Sequence, residues 1–378
     1  MAKPIIYLDY AAATPVDPTV LEAMMPYFSQ EFYNPSATYL PAKRAHQALD
    51  TARVKVAHWL GARPSEVIFT AGGSEANNLA IHGIMRKFPE ANIVSSSIEH
   101  DSVLMSASRY QHRQVEVSPD GRLSLDDLSN KIDHNTVLVS VAYANSEIGT
   151  VQSIRQIAKI IEEKKTDPKR KHPLYFHSDA CQAANYLDLH LGRLGVDLLT
   201  LNGGKIYGPK QSGVLYVRAG LELIPIIDGG GQERGLRSGT ENLAGAVGLA
   251  TALDLAQQNR QLETTRLKTL QDQFVQIIKK DFVTTSVNGS LKHRLPNNVH
   301  LTIEGIDNER LLIELEQSGI LAAAGSACSA SDDTPSHVLK AIGLTDAQAR
   351  ASIRFSMGRA TTSAMMSQTI DSLRTLLK

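Results

Sequence analysis

Between residues 64 and 218 the chain alternates two patterns. Short apolar, β-branched runs stand at 67-VIFT-70, 92-NIVSS-96, 136-TVLVSVAY-143, 174-LYF-176, 196-VDLLTL-201 and 213-GVLYV-217. Segments with helical spacing separate them, such as 153-SIRQIAKIIEEKK-165. Near-continuous apolar strands between helices predict a sheet covered on both faces. A long helical stretch over roughly 242–280 follows. After it, 297-NNVHLTIEG-305, 308-NERLLIELEQSG-319 and 351-ASIRFSMG-358 read as strand, helix and strand of a smaller α+β unit. Pro and Gly residues near 287–297 punctuate the change.

At 378 residues the chain exceeds what one core usually serves, so two units are expected. Basic and acidic residues balance at 39 each. That balance gives no electrostatic reason to expect nucleic acid or an anionic membrane as the main partner. The charge run 162-EEKKTDPKRKHP-173 reads as a solvated loop. No stretch approaches the ~20 apolar residues of a membrane span. The start, MAKPIIYLDYAAATP, does not read as a secretory signal. Two cysteines, at 181 and 328, make neither a disulfide framework nor a zinc site, and suit a reducing cytoplasm.

Chemistry collects at turns. In 67-VIFTAGGSEANNLAI-81 a strand runs into Gly72-Gly73-Ser74, and a helix is expected to begin near Ser74 or Glu75. Free N–H groups and the positive dipole end there can hold a phosphate, and a plain Ser74 N-cap accounts for the pattern equally well. In 201-LNGGKIYGPKQSGVLYV-217, Gly-Gly-Lys is not a P-loop: Leu199 stands where its first Gly belongs, and Ile206 replaces Ser/Thr. Lys205 at this strand end suits a nucleophilic amine for a carbonyl cofactor, although a surface lysine is the commoner case. Asp179, in 174-LYFHSDACQAA-184, follows a strand end, where ligands gather in open α/β sheets. Its carboxylate could pair with the ring nitrogen of pyridoxal phosphate, or simply cap a helix. The loop 228-DGGGQERGLRSGTEN-242 is dense in anion donors. Cys328 lies in 325-GSACSASDDTPSHVL-339, among small and acidic residues with no core periodicity, which reads as an exposed loop carrying a thiol.

Taken in order, 8-LDYAAATPVDP-18, 34-NPS-36, 70-TAGGSEANNLAI-81, 98-IEH-100, 144-ANSEIGTVQ-152, 177-HSDACQ-182, 205-KIYGPK-210, 229-GGGQERGLRSGT-240, 325-GSAC-328 and 353-IRFSMGR-359 span nearly the whole chain. On them the sequence resembles the cysteine desulfurases, class V aminotransferase relatives of pyridoxal-phosphate fold type I that mobilise sulfur for iron–sulfur clusters and tRNA thiolation. The resemblance implies a large domain over 16–258, with a mixed, mostly parallel sheet covered by helices. It implies a small α+β domain from 1–15 and 259–378 that carries a mobile thiol loop at about 323–336. Lys205 would hold pyridoxal 5′-phosphate as a Schiff base and later act as base. His100 would stack on its ring, Asp179 would pair with its nitrogen, and Gln182 would bond its phenolic oxygen. Gly73 and Ser74 would bind the phosphate, helped by Thr240 from the other subunit of a homodimer. Arg354 would clamp the substrate carboxylate, and Cys328 would accept sulfur as a persulfide while L-cysteine becomes L-alanine. The sulfur would pass to an iron–sulfur scaffold or tRNA-thiolation protein.

The sequence also departs from that pattern. Asn202-Gly203-Gly204 stands for Ser-Gly-His, so Asn202 becomes the expected phosphate donor. Ser146 stands where an Asn would touch the cofactor, and Tyr39 where a His is usual. Cys181, often Thr in the family, reads as a small packing residue. The chain ends at Lys378 without the extension many members use to dock a scaffold. Two other readings stay open from sequence: a selenocysteine lyase on the same scaffold, and a non-catalytic cofactor-binding scaffold protein.

Overall fold

The structure is a computed structural model that describes residues 5–325 and 335–377. Among the described residues twelve strands run in chain order: β1 (Ile6–Tyr7), β2 (Val67–Thr70), β3 (Asn92–Ser96), β4 (Gln111–Val115), β5 (Thr136–Ser140), β6 (Tyr175–Asp179), β7 (Leu198–Asn202), β8 (Gly213–Val217), β9 (Thr285–Val287), β10 (Asn298–Ile303), β11 (Ile320–Leu321) and β12 (Ser352–Ser356). The helices that matter here are α1 (Leu40–Leu60), α2 (Gly73–Met85), α3 (Asp101–Ala107), α4 (Leu243–Gln258), α5 (Arg260–Asp281), α6 (His337–Ala341) and α7 (Ser363–Leu376).

Seven strands form the central sheet in the order β2-β8-β7-β6-β5-β3-β4. β8 pairs antiparallel with both its neighbours, and every other pairing is parallel. Every residue of β2, β3, β5 and β8 is buried, as a sheet with helices on both faces requires. One face packs on α1 and α4 through Leu49, Val56, Leu249 and Leu253. The other packs on α2 through Leu79, Ile81 and Ile84. Helix α4 is buried almost all round, which its Ala- and Gly-rich sequence permits.

The expected long helix over 242–280 is two helices. Asn259 lies between them at φ −92°, ψ 0°, its backbone N–H donating to the Leu255 carbonyl at the end of α4 while it starts α5. The strand expected over 136–143 stops at Ser140, because the next residues turn into a loop of the site. The edge strand β4 carries QHRQV, mostly exposed, so it has no apolar pattern to betray it.

A second core forms around a three-stranded antiparallel sheet, β9-β10-β12. Leu267 and Phe274 of α5, Ile370 and Leu373 of α7, and Leu301 and Phe355 of the sheet fill it. Ile6 and Leu8 belong to the same core. Strand β1 pairs in parallel with β11, and Asp9 bridges Ser356, so the start of the chain is woven into its far end. A further small cluster joins Ile98 and Ile148, from loops of the central sheet, to Val338 and Leu339 of α6 and to Ile342.

Candidate active site

The carboxyl ends of the parallel strands converge on one cavity of about 240 Å3. His100 follows β3, Ser146 follows β5, Asp179 ends β6, and Lys205 ends the turn after β7. All four line the cavity, together with Gly73, Ser74, Gln182, Asn202 and Arg354.

Helix α2 begins at Gly73, one residue earlier than the sequence suggested, directly after the glycine turn. Gly73 has no room for a side chain: a Cβ there would lie 2.8 Å from Cys181 Sγ. Gly73 and Ser74, the first residues of α2, line the cavity, and a helix start leaves its first N–H groups without partners in the helix. Asn202 uses its Oδ1 to accept from Gly204 N at 3.0 Å, which leaves its amide nitrogen toward Gly73. Cys181 packs against Gly73, and burial together with the Asp179 carboxylate pushes its thiol well above the ordinary range. It stays a neutral thiol, in keeping with a packing residue.

Asp179 is buried and held from two sides. Asn77 Nδ2 donates to its Oδ2 at 2.7 Å, and Cys181 N donates to its Oδ1 at 2.9 Å. The same Asn77 Nδ2 reaches Ser102 Oγ at 2.9 Å, and Ser102 Oγ lies 2.8 Å from His100 Nδ1. Sequence reasoning assigned no role to Asn77 or Ser102, although Asn77 sits inside the quoted glycine-turn motif. Beneath Asp179, His177 is completely buried between Ser140 Oγ and Thr200 Oγ1. Burial holds it neutral, with its pKa lowered to about 4.

Lys205 Nζ reaches back to the carbonyls of Ala11 (3.0 Å) and Ala12 (2.6 Å), and Gln182 Nε2 donates to the Ala11 carbonyl at 2.9 Å. The start of the chain thus forms one wall. Just beyond the lysine, Tyr207 holds the left-handed φ of 64°, a conformation costly for a non-glycine residue. Thr14 Oγ1, accepting from Tyr207 N at 2.8 Å, and the Arg359 guanidinium over the tyrosine ring hold that turn.

Arg354 is 1 % exposed. Its Nη2 donates to Asp9 Oδ1 at 2.7 Å and its Nη1 to the Ser146 carbonyl at 3.0 Å. Three further carboxyls line the cavity, Glu99, Asp101 and Glu147, none anticipated as a site residue. Glu99 Oε1 accepts from Ala142 N at 2.8 Å, and burial raises its pKa well above the carboxylate range. Thr240 does not line this cavity; it lines a separate pocket with Phe69, Arg237 and Asn242. Tyr39 is exposed, away from the cavity lining. Cys328 lies outside the described residues.

The model of the aminotransferase class-V family matches residues 6–368. The chain is 37% identical over 380 residues to a protein named cysteine desulfurase IscS from Dictyoglomus turgidum, covering 99% of this chain and 94% of that one. The chain belongs to the class-V aminotransferase family, among its cysteine desulfurases. A solved structure titled NifS-like protein superposes with a TM-score of 0.91 at 29% identity, covering 99% of both chains. Another, titled SspA in complex with cysteine, gives a TM-score of 0.80 at 37% identity over 93% of this chain and 98% of that one. The resemblance read from the ordered motifs is therefore borne out in family and in fold, a mostly parallel α/β sheet of pyridoxal-phosphate fold type I.

Proposed function

We propose that the cavity binds pyridoxal 5′-phosphate and L-cysteine, and that the enzyme forms L-alanine while leaving the sulfur as a persulfide on Cys328. The observation that carries this reading is the convergence of Lys205, Asp179, His100, Gln182 and Arg354, from four separate stretches, on one cavity beside the start of a helix. The residues fit the cofactor. Asp179, with both oxygens oriented by N–H donors, supplies a carboxylate for a pyridine nitrogen. The start of α2 supplies N–H groups for a phosphate, because Gly73 carries no side chain. Bound there, the cofactor supplies an electron sink for the substrate's α-carbon.

The chain's own residues do the rest. Lys205 holds the cofactor's aldehyde carbon and then takes the substrate α-proton at Nζ. His100 faces the ring and takes the substrate thiol proton. Gln182 bonds the phenolic oxygen, with Ser146 nearby. Gly73, Ser74 and Asn202 hold the phosphate, joined by Thr240 of the partner subunit in a homodimer. That Thr240 lines a different pocket of its own chain is consistent with this reach. Arg354 binds the substrate carboxylate. The Cys328 thiolate forms an S–S bond as the substrate's Cβ–S bond breaks; the bonding pair stays on carbon, which takes a proton to give alanine. Residues 1–15 and 259–378 act as the unit that presents the thiol. The setting is cytoplasmic and the acceptor is an iron–sulfur scaffold or a tRNA-thiolation protein. Among the described residues no helix is long and apolar enough to cross a membrane.

The test is direct. The purified protein should be yellow, borohydride should fix the cofactor on Lys205, and cysteine should yield alanine with a mass gain of one sulfur on Cys328. The Cys328→Ala variant should keep the chromophore and release no sulfide. Robust turnover by that variant, or a colourless protein that takes up no cofactor, refutes the proposal.

A further inference from the structure

Both chain stems that flank the thiol segment rest on one buried carboxylate. Glu147 is 2 % exposed, and its backbone carbonyl accepts from Asn298 Nδ2 at 2.9 Å, fixing it to β10. On the exit side, Ser336 Oγ donates to Glu147 Oε2 at 2.8 Å. The same hydroxyl accepts from Val338 N (3.2 Å) and Leu339 N (3.3 Å), capping α6. Its donor and acceptor capacities are both spent, one on Glu147 and one on the helix. The next residue, His337, donates from Nε2 to the Glu99 carbonyl at 3.0 Å. Val338, Leu339 and Ile342 then pack on Ile98 and Ile148, neighbours of His100 and Ser146.

On the entry side, Ala323 and Arg354 exchange backbone hydrogen bonds at 3.2 and 2.6 Å. Two residues on, Gly325 lies so close that a Cβ there would stand 3.3 Å from Glu147 Oε1. His300 Nε2 approaches that oxygen at 3.8 Å, but burial keeps His300 neutral, so this is no ion pair.

We propose that Glu147 is a positioning residue for sulfur transfer: it accepts from Ser336 and abuts Gly325, and so fixes the two described stems on either side of the segment that bears Cys328. The inference rests on the reading of Cys328 as sulfur acceptor. It requires an acceptor oxygen at position 147, not a negative charge. Glutamine there keeps the tie to Ser336, whereas alanine removes it and leaves the hydroxyl's donor unmatched.

Two rates separate this role from others. Exchange of the substrate α-proton for solvent deuterium reports on the cavity alone. Persulfide formation on Cys328, followed by mass spectrometry in a single turnover, also reports on where the thiol lies. Ser336→Ala, outside the cavity lining, should slow persulfide formation about ten- to a hundredfold, the scale of a misplacement near 1 Å. Exchange should stay within twofold. Glu147→Ala should lower the ratio of persulfide formation to exchange by a similar factor, and Glu147→Gln should restore it. The double variant Glu147→Ala/Ser336→Ala should be no slower than the slower single one. A Ser336→Ala protein that forms persulfide at the unmodified rate overturns the inference, as does a glutamine variant no better than alanine, or loss of exchange in step with persulfide. If the unmodified chain forms no persulfide on Cys328, the reading of that cysteine fails first and this inference with it.

Discussion

Asn77 shows how one amide can organise a charge. Its nitrogen donates to Asp179 and to Ser102, so the orientation of the carboxylate and of the His100 cap are set together. Its Oδ1 is buried with no hydrogen-bond partner among the described residues, so the amide is held by its donor side alone. A hydrogen bond to a charged group contributes roughly 1.5–3 kcal/mol. Asn77→Ala should therefore weaken cofactor binding about ten- to a hundredfold, measured as the dissociation constant of pyridoxal phosphate by equilibrium dialysis. A constant within twofold of the unmodified protein would show that Asp179 needs no such support. Residue type and strand position left Lys205 and Asp179 with plain alternatives; the ordered motifs singled them out, and both line the cavity. Asn77, Glu99 and Glu147 were not singled out, because their roles depend on what lies opposite them across 25 to 189 positions of chain.

At the scale of elements, apolar periodicity found what was buried and missed what was not. β2 and β8 were located residue for residue, since every position in them is buried. β4 escaped because an edge strand with four polar residues of five has no apolar alternation to show. The break between α4 and α5 escaped because Asn259 interrupts a helical pattern without Gly or Pro. Nor does any periodicity announce that Arg359 braces the lysine turn. Its guanidinium lies 4.1 Å from the Tyr207 ring centre, its Nη1 donates to Asp17 Oδ2 at 2.8 Å, and its backbone N donates to Tyr207 Oη at 2.8 Å. Together these join the segment after β12, the turn after β7 and Asp17, which caps the short helix Pro18–Met24. A stacked cation and a half-exposed ion pair amount to about 1–3 kcal/mol. Arg359→Ala should lower the urea midpoint by that stability at unchanged slope, and Arg359→Lys should recover only part, since an ammonium cannot stack as a plane. An alanine variant as stable as the unmodified chain would reduce the contact to a surface accident.

The whole molecule carries a buried neutral histidine in each of its two main sheets, and that fixes how it meets acid. His177 stands in β6 of the large sheet and His300 in β10 of the small one, both fully buried. Burial lowers their pKa values to about 4 and about 3. An unfolded histidine titrates near ~6.5. Between that value and the folded one, the unfolded chain binds a proton that the folded chain refuses, so stability falls as pH drops. From pH ~6.5 to ~5 each histidine should remove about 2 kcal/mol. Glu99 and Glu147 act with the opposite sign. Burial raises their pKa values, so their folded forms hold protons that unfolded carboxyls release, and their contribution is fullest in acid and is lost as pH rises. The net slope mixes both, but comparison of variants isolates the histidines. His177→Asn and His300→Asn should each be less stable at neutral pH, yet each should flatten the loss between pH 6.5 and 5 relative to the unmodified protein. The measurement is urea unfolding at a series of pH values, with the cofactor state held constant. Parallel stability curves for variant and parent would mean that the buried imidazoles already exchange protons in the folded state, and that neither core is as closed as the structure shows.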